Sequence, residues 1–353
     1  MGTAIPVPGA TGETTGLGGA SFATMIDVHA HAFLPSWIAA YVKATQAPSD
    51  AIKFAGGILP KWSVGRHLEV MDSHGIASSI LSWPGATAFL EGAAARSLAR
   101  RMNEEFAEIV AQQPTRFGAF AVVPMDNVDA AVEETAYALD VLELDGVSAT
   151  ASFGGRYLGH ASFDPWFAEM NRRSTTLFAH PGLPPNFDPN VLGMNVALME
   201  FMFESTRMVA NMVLTGAKTK YAAMNIISTH GGGTIPYLSG RLSILQPIFG
   251  MNSSLPPLTS EEITAGLTSF HYDLTASTSA PSLRAIEAFI PADKLLVGFD
   301  FPMMPDTTIA PARSSLVATD LFDAAAKQKI SRGNALDLFP RLRARLEAHQ
   351  GAQ

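Results

Sequence analysis

An α/β fold of the (β/α)8 TIM-barrel type, a single domain with inserted loops over its catalytic face, is what this sequence predicts. Three features predict it. Short β-branched runs alternate with longer helical patterns almost from end to end, there are about eight such pairs, and no linker divides them into halves. A doubly wound open sheet is the competing arrangement. It normally carries a glycine-rich phosphate turn after its first strand, and IDVHAH has none.

The elements follow in order. Candidate strands are TMIDVH (24–29), IASSILSW (76–83), FGAFAVV (117–123), DGVSAT (145–150), TTLFAH (175–180), NIISTH (225–230), FHYDLT (270–275) and KLLVGFD (294–300). Between them lie apolar segments with helical spacing at 93–112, with Leu98, Met102, Phe106 and Ile109 on one face, and at 128–142 and 201–214. In DPWFAEMNRR, Asp164 is the expected N-cap and Pro165 the first helical residue. Two Pro/Gly-rich segments, 40–60 and 183–195, exceed an ordinary loop. Both follow candidate strands, so in a barrel both cap the catalytic face. Residues 1–22 read as a flexible arm and residues 23–353 as the barrel domain.

Composition excludes several classes. A hydrophobic fraction of 47% supports a large core. A net charge of −8 argues against a nucleic-acid binder, which needs a basic stripe. The absence of cysteine removes disulfide scaffolds, thiolate metal sites and cysteine nucleophiles. No apolar run approaches the roughly 18 residues of a membrane span, and the first residues lack the pattern of a signal peptide, so a cytoplasmic address is expected. Charged residues make up only 16%, which points to extra buried surface and to a homodimer or homotetramer.

The chemistry begins at His29-Ala30-His31. Residues i and i+2 of a strand point the same way, so two imidazoles can converge on one metal ion. Alone, H-x-H is a weak motif. Here His180 ends the fifth candidate strand, His230 the sixth and Asp300 the eighth, and in a barrel those ends form the rim where reactive groups collect. Three imidazoles and a carboxylate suit one divalent ion, Zn2+ first and Mn2+ second.

IDVHAH, FAHPG, STHGGG and GFDFP, in that order and spacing, resemble the amidohydrolase superfamily, and within it the metal-dependent decarboxylases that act on salicylate, resorcylate and aminocarboxymuconate semialdehyde. The resemblance runs from Met25 to about Phe339, ending in GNALDLF. It implies His29, His31, His180 and Asp300 as metal ligands and His230 as acid/base. The fourth strand has no lysine to bridge a second ion, which favours one metal. The muconate-type arginine after Phe54 is missing, since Ala55 stands there, and RLSILQPIF lacks the second one. A monocarboxylate held mainly by the metal fits better than a dicarboxylate.

The expected activity is therefore non-oxidative decarboxylation of a hydroxylated aromatic acid, with a small aromatic carboxylate as partner. His230 and Asp300 are both candidates for the proton donor. Hydrolysis of a lactone, amide or ester by a metal-activated water is the alternative, because it would use the same residues. Arg156, Glu204, Trp62 and Phe187 are the candidate substrate contacts. For Glu204 and Arg207, three apart on one helix, an ion pair is the simpler account.

Overall fold

The computed structural model describes residues 22, 24–48, 52–54, 57–184, 193–249 and 255–351. Eight parallel strands run in sequence order around the sheet: β1 (Met25–His31), β2 (Ile76–Ser82), β3 (Phe117–Val122), β4 (Gly146–Thr150), β5 (Thr176–His180), β6 (Asn225–Ser228), β7 (His271–Asp273) and β8 (Leu295–Leu296). The main chain just past β8 meets β1 through Val28 N–H donating to Val297 O (2.9 Å) and a bridge between Ala30 and Phe301, so the sheet curls back on itself. This is the (β/α)8 architecture the alternation predicts.

Helices separate the strands. Principal ones are α1 (Pro35–Thr45), α2 (Val64–His74), α3 (Gly92–Gln112), α4 (Val128–Asp140), α5 (Asp164–Arg172), α6 (Glu200–Leu214) and α7 (Ile235–Phe249). Of the apolar stripe expected on α3, Leu98, Met102 and Phe106 are buried one turn apart, while Ile109 is only partly buried and its neighbour Val110 takes the inward place. Helix α4 opens on Asn127, whose side chain accepts the N–H of Ala130 (2.9 Å).

Alternate residues of the strands fill the barrel interior. Ile26, Val28, Ile80, Phe120, Phe178, Ile227 and Leu296 form one buried cluster with Leu338, Phe339 and Leu342. Phe120 stacks on Phe178 (5.0 Å) and meets Phe339 edge-on (5.6 Å), so the GNALDLF segment plugs the barrel. Above this apolar layer His29 packs edge-on against Phe178 at 5.0 Å, where the interior turns polar.

Several expectations shift. β6 ends at Ser228 and β8 at Leu296, short of the sequence-assigned ends His230 and Asp300, both of which have left-handed backbone (φ 57° and 60°). Asp164 is not an N-cap: a 3-10 turn at Ala161–Phe163 leads straight into α5, Asp164 is already helical, and its carboxylate takes Lys220 Nζ (2.7 Å). Segment 40–60 begins as the last turns of α1 and carries a two-residue hairpin, Lys53–Phe54 with Gly57–Ile58; residues 49–51, 55 and 56 lie outside the described set. Most of segment 183–195, including Phe187, also lies outside it, as does the expected arm except Phe22, which is buried in the outer core. Among the described residues no helix is long and apolar enough to cross a membrane.

Candidate metal centre

His29 and His31 both lie within β1 and are fully buried, with ring centroids 5.1 Å apart. A register irregularity between Asp27 and Ala30 twists the strand there. Asp27 braces that twist, since its Oδ1 accepts the main-chain N–H of His29 (3.0 Å) and of Phe299 (3.2 Å), tying β1 to the segment that carries Asp300.

The hydrogen bonds fix which nitrogen each ring offers. His29 Nδ1 faces the Asp273 carboxylate at 3.0 Å, and a carboxylate only accepts, so Nδ1 carries the proton. His31 Nδ1 donates to Ser82 Oγ (3.1 Å), whose own hydrogen goes to Ala30 O (3.1 Å). His180 Nδ1 donates to Pro181 O at 2.7 Å. All three rings therefore turn Nε2 toward one point. Asp300 closes it: its Oδ1 lies 3.0 Å from His31 Nε2 and 3.5 Å from His29 Nε2. One donor atom from each of His29, His31, His180 and Asp300 lies within 4.8 Å of the others. His29 Nε2, His180 Nε2 and Asp300 Oδ1 are buried without a hydrogen-bond partner. Buried polar atoms are rarely left so, and three converging on one point fit a divalent cation held by three imidazoles and a carboxylate.

The electrostatics agree. Burial holds the His180 ring well below its usual range, and the neighbouring His31, His29 and His230 rings add to that. Burial likewise lowers His31. Burial also disfavours charge on His29, but Asp273 and Asp300 outweigh it and raise the ring to about 10. Burial works against a charged Asp300, yet His29, His230 and His31 hold it well below the carboxylate range. Two carboxylates around clustered imidazoles call for positive charge at the centre.

His230 stands beside this set. Its ring lies 5.0 Å from that of His29 and 5.4 Å from that of His180, and its Nε2 is 3.9 Å from Asp300 Oδ2. It follows β6 in a tight turn in which Gly231, Gly232 and Gly233 all have positive φ. Gly233 has no alternative: a Cβ there would stand 2.0 Å from Met202 O on α6.

Aromatic rings wall the centre. Trp83 packs edge-on to His31 at 5.5 Å and to Phe33 at 4.7 Å, and Phe201 of α6 lies 5.9 Å from His180. The four expected substrate contacts fare differently. Trp62 is partly buried and donates its indole N–H to His67 Nδ1 (2.9 Å). Glu204 is buried and engaged by Ser152 Oγ (3.1 Å), Tyr157 OH (3.2 Å) and Arg207 (3.5 Å), so the ion pair expected on that helix is present. Arg156 is exposed on the hairpin Ser152–Phe153/Arg156–Tyr157 that follows β4, and Phe187 is outside the described residues. Sequence reasoning passed over Asp273, Ser82 and Phe201. For Asp273 a signal existed, a lone acid near the end of the apolar run FHYDLT; for the other two there was none.

Comparison with known proteins gives a consistent picture. The family described as Amidohydrolase matches residues 26–341. The chain is 33% identical over 338 residues to a decarboxylase of Penicillium terrestre, covering 90% of this chain and 95% of that protein. It is 30% identical over 327 residues to the 6-methylsalicylic acid decarboxylase of Penicillium expansum, covering 91% and 98%. In fold it is similar to the dihydroxybenzoic acid decarboxylase of Polaromonas sp. JS666, solved with bound manganese and 2-nitroresorcinol, with a TM-score of 0.74 and 24% identity over 90% of this chain and 97% of that one.

Proposed function

Because this chain belongs to the amidohydrolase family, we propose that it is a metal-dependent, non-oxidative decarboxylase of a hydroxylated aromatic carboxylic acid, with salicylate-type acids as the substrate class. The observation that carries this is the convergence of His29, His31, His180 and Asp300 on one point beside His230, in a chain related to decarboxylases along nearly its whole length.

When bound, a divalent ion supplies Lewis-acid charge and a template for the substrate carboxylate and its neighbouring phenolate oxygen. Zn2+ and Mn2+ both suit the donor set, and the manganese in the dihydroxybenzoic acid decarboxylase makes Mn2+ the first ion to test. The chain's own residues do the rest. Trp83 and Phe201 offer ring faces and edges for the aromatic substrate and keep water out. Proton delivery falls to His230, because Asp300 Oδ1 is turned to the His29 and His31 nitrogens while Oδ2 faces His230 Nε2. The proton goes to the ring carbon bearing the carboxylate. The electron pair of the C–C bond then returns to the ring as carbon dioxide leaves, so one proton enters for each carbon dioxide released. Glu204 serves by fixing the Ser152–Tyr157 hairpin over the site, Arg156 meets the outer edge of the substrate from that hairpin, and Trp62 belongs to the surrounding wall.

Self-association into a homodimer or homotetramer is supported by α7, whose Tyr237 (83%), Ile244 (62%), Ile248 (59%) and Phe249 (70%) stand exposed. Sedimentation showing only monomer at micromolar concentration would refute it.

The activity is tested by incubating Mn2+- or Zn2+-loaded protein in deuterated water with salicylate, 6-methylsalicylate and 2,6-dihydroxybenzoate. Carbon dioxide and deuterium at the vacated carbon are expected, and His230→Ala should keep its metal while losing about two to four orders of magnitude in rate. No carbon dioxide from any of them, with hydrolysis of a lactone or ester instead, would overturn the assignment.

A further inference from the structure

We propose that Asp273 is the positioning residue that makes His29 a metal donor, an inference that rests on the reading of His29 as a ligand. Asp273 ends β7, is 0% exposed and spends both oxygens on the site. Oδ2 faces His29 Nδ1 at 3.0 Å, while Oδ1 accepts the main-chain N–H of His230 (3.0 Å) and of Thr275 (3.0 Å). Because the carboxylate can only accept, it holds the proton on His29 Nδ1 and leaves the Nε2 lone pair aimed at the Asp300 side. The same group pins the N–H of His230, whose backbone is left-handed (φ 57°).

The two main-chain donors make Asp273→Asn a sharp perturbation. They fix the amide oxygen toward His230 and Thr275, so the amide NH2 must occupy the place of Oδ2 and face His29 Nδ1. Two donors cannot share that contact. Only the Thr275 hydroxyl, 3.2 Å from Nδ1, is then left to accept the Nδ1 proton, so the tautomer that keeps Nε2 free for a metal loses its carboxylate partner and is disfavoured. Size, fold and the His230 contact stay as they are. Asp27→Asn is the matching control. Its Oδ1 keeps the His29 and Phe299 main-chain donors, its second oxygen meets no hydrogen-bond partner, and no ring nitrogen loses a carboxylate partner.

The experiment measures Mn2+ affinity by calorimetry and the visible spectrum of the Co2+-loaded protein for wild type, His29→Ala, Asp273→Asn and Asp27→Asn, with circular dichroism to verify the fold. Wild type should bind one Mn2+, His29→Ala should bind it poorly, and Asp273→Asn should bind about 10- to 100-fold more weakly than wild type with an altered Co2+ spectrum. Asp27→Asn should change affinity by a much smaller factor. Wild-type affinity in Asp273→Asn, with His29→Ala impaired, overturns this inference and leaves the metal centre standing. Equal losses in the two Asn variants also overturn it, since removal of charge alone would then explain both. Full affinity in His29→Ala would instead bring down the reading of His29 as a ligand.

Discussion

Stripping and restoring the metal should move the melting temperature by an amount the site itself sets. His29 Nε2, His180 Nε2 and Asp300 Oδ1 are buried polar atoms with no hydrogen-bond partner. Each such atom costs about 1–3 kcal/mol, so satisfying all three through one ion stabilises the fold by roughly 3–9 kcal/mol. Unfolding entropy near 2.1 cal/mol/K per residue gives about 0.7 kcal/mol/K for 353 residues. The expected rise is therefore about 4–13 °C on saturation. Within the titration each tenfold increase in free metal adds about 1.4 kcal/mol, or about 2 °C. The assay is scanning calorimetry of chelator-treated protein titrated with Mn2+ and, separately, Zn2+. His180→Ala removes one donor and should flatten the dependence. A melting temperature that ignores the metal in wild type, or that climbs equally in His180→Ala, would refute the reasoning.

Acid should destabilise the protein through two buried histidines outside the metal cluster, His67 and His271. Burial, then Arg116, lowers His67 to about 3, and burial, then Lys294 and Lys218, lowers His271 to about 3. The unfolded chain takes up these protons near 6.5 and the folded one refuses them, so the stability is complete above 6.5 and is lost progressively as pH falls from about 6.5 toward about 3, each group contributing up to a tenfold change in the unfolding equilibrium per pH unit. Urea unfolding at pH 7 and pH 5 should show a shallower pH slope in His271→Leu than in wild type; equal slopes would contradict this. Phe339→Ala empties the plug of the barrel beside Phe120, and such a truncation costs about 3–5 kcal/mol, which corresponds to about 4–7 °C in this chain. An unchanged melting temperature would show that the C-terminal segment does not close the barrel.

The sequence alone determined the barrel, because the alternation of β-branched runs with helical stripes is a local pattern and the period of each run decides which face is buried. It also singled out His29, His31, His180, His230 and Asp300, because each follows an apolar run and strand ends gather at one rim. Tertiary structure decided what distance and direction decide. That His230 and Asp300 adopt positive φ, that the imidazoles of His29, His31 and His180 all turn Nε2 inward, and that Asp273 meets His29 across 244 residues of chain depend on contacts between strands far apart in sequence. Trp62 and Glu204 teach the same point from the other side. Their chemistry was legible, but their partners, His67 for one and Ser152 and Tyr157 for the other, come from segments that only the fold brings together. A side chain's type is written in the sequence, whereas the partner that fixes its proton or its charge is supplied by packing.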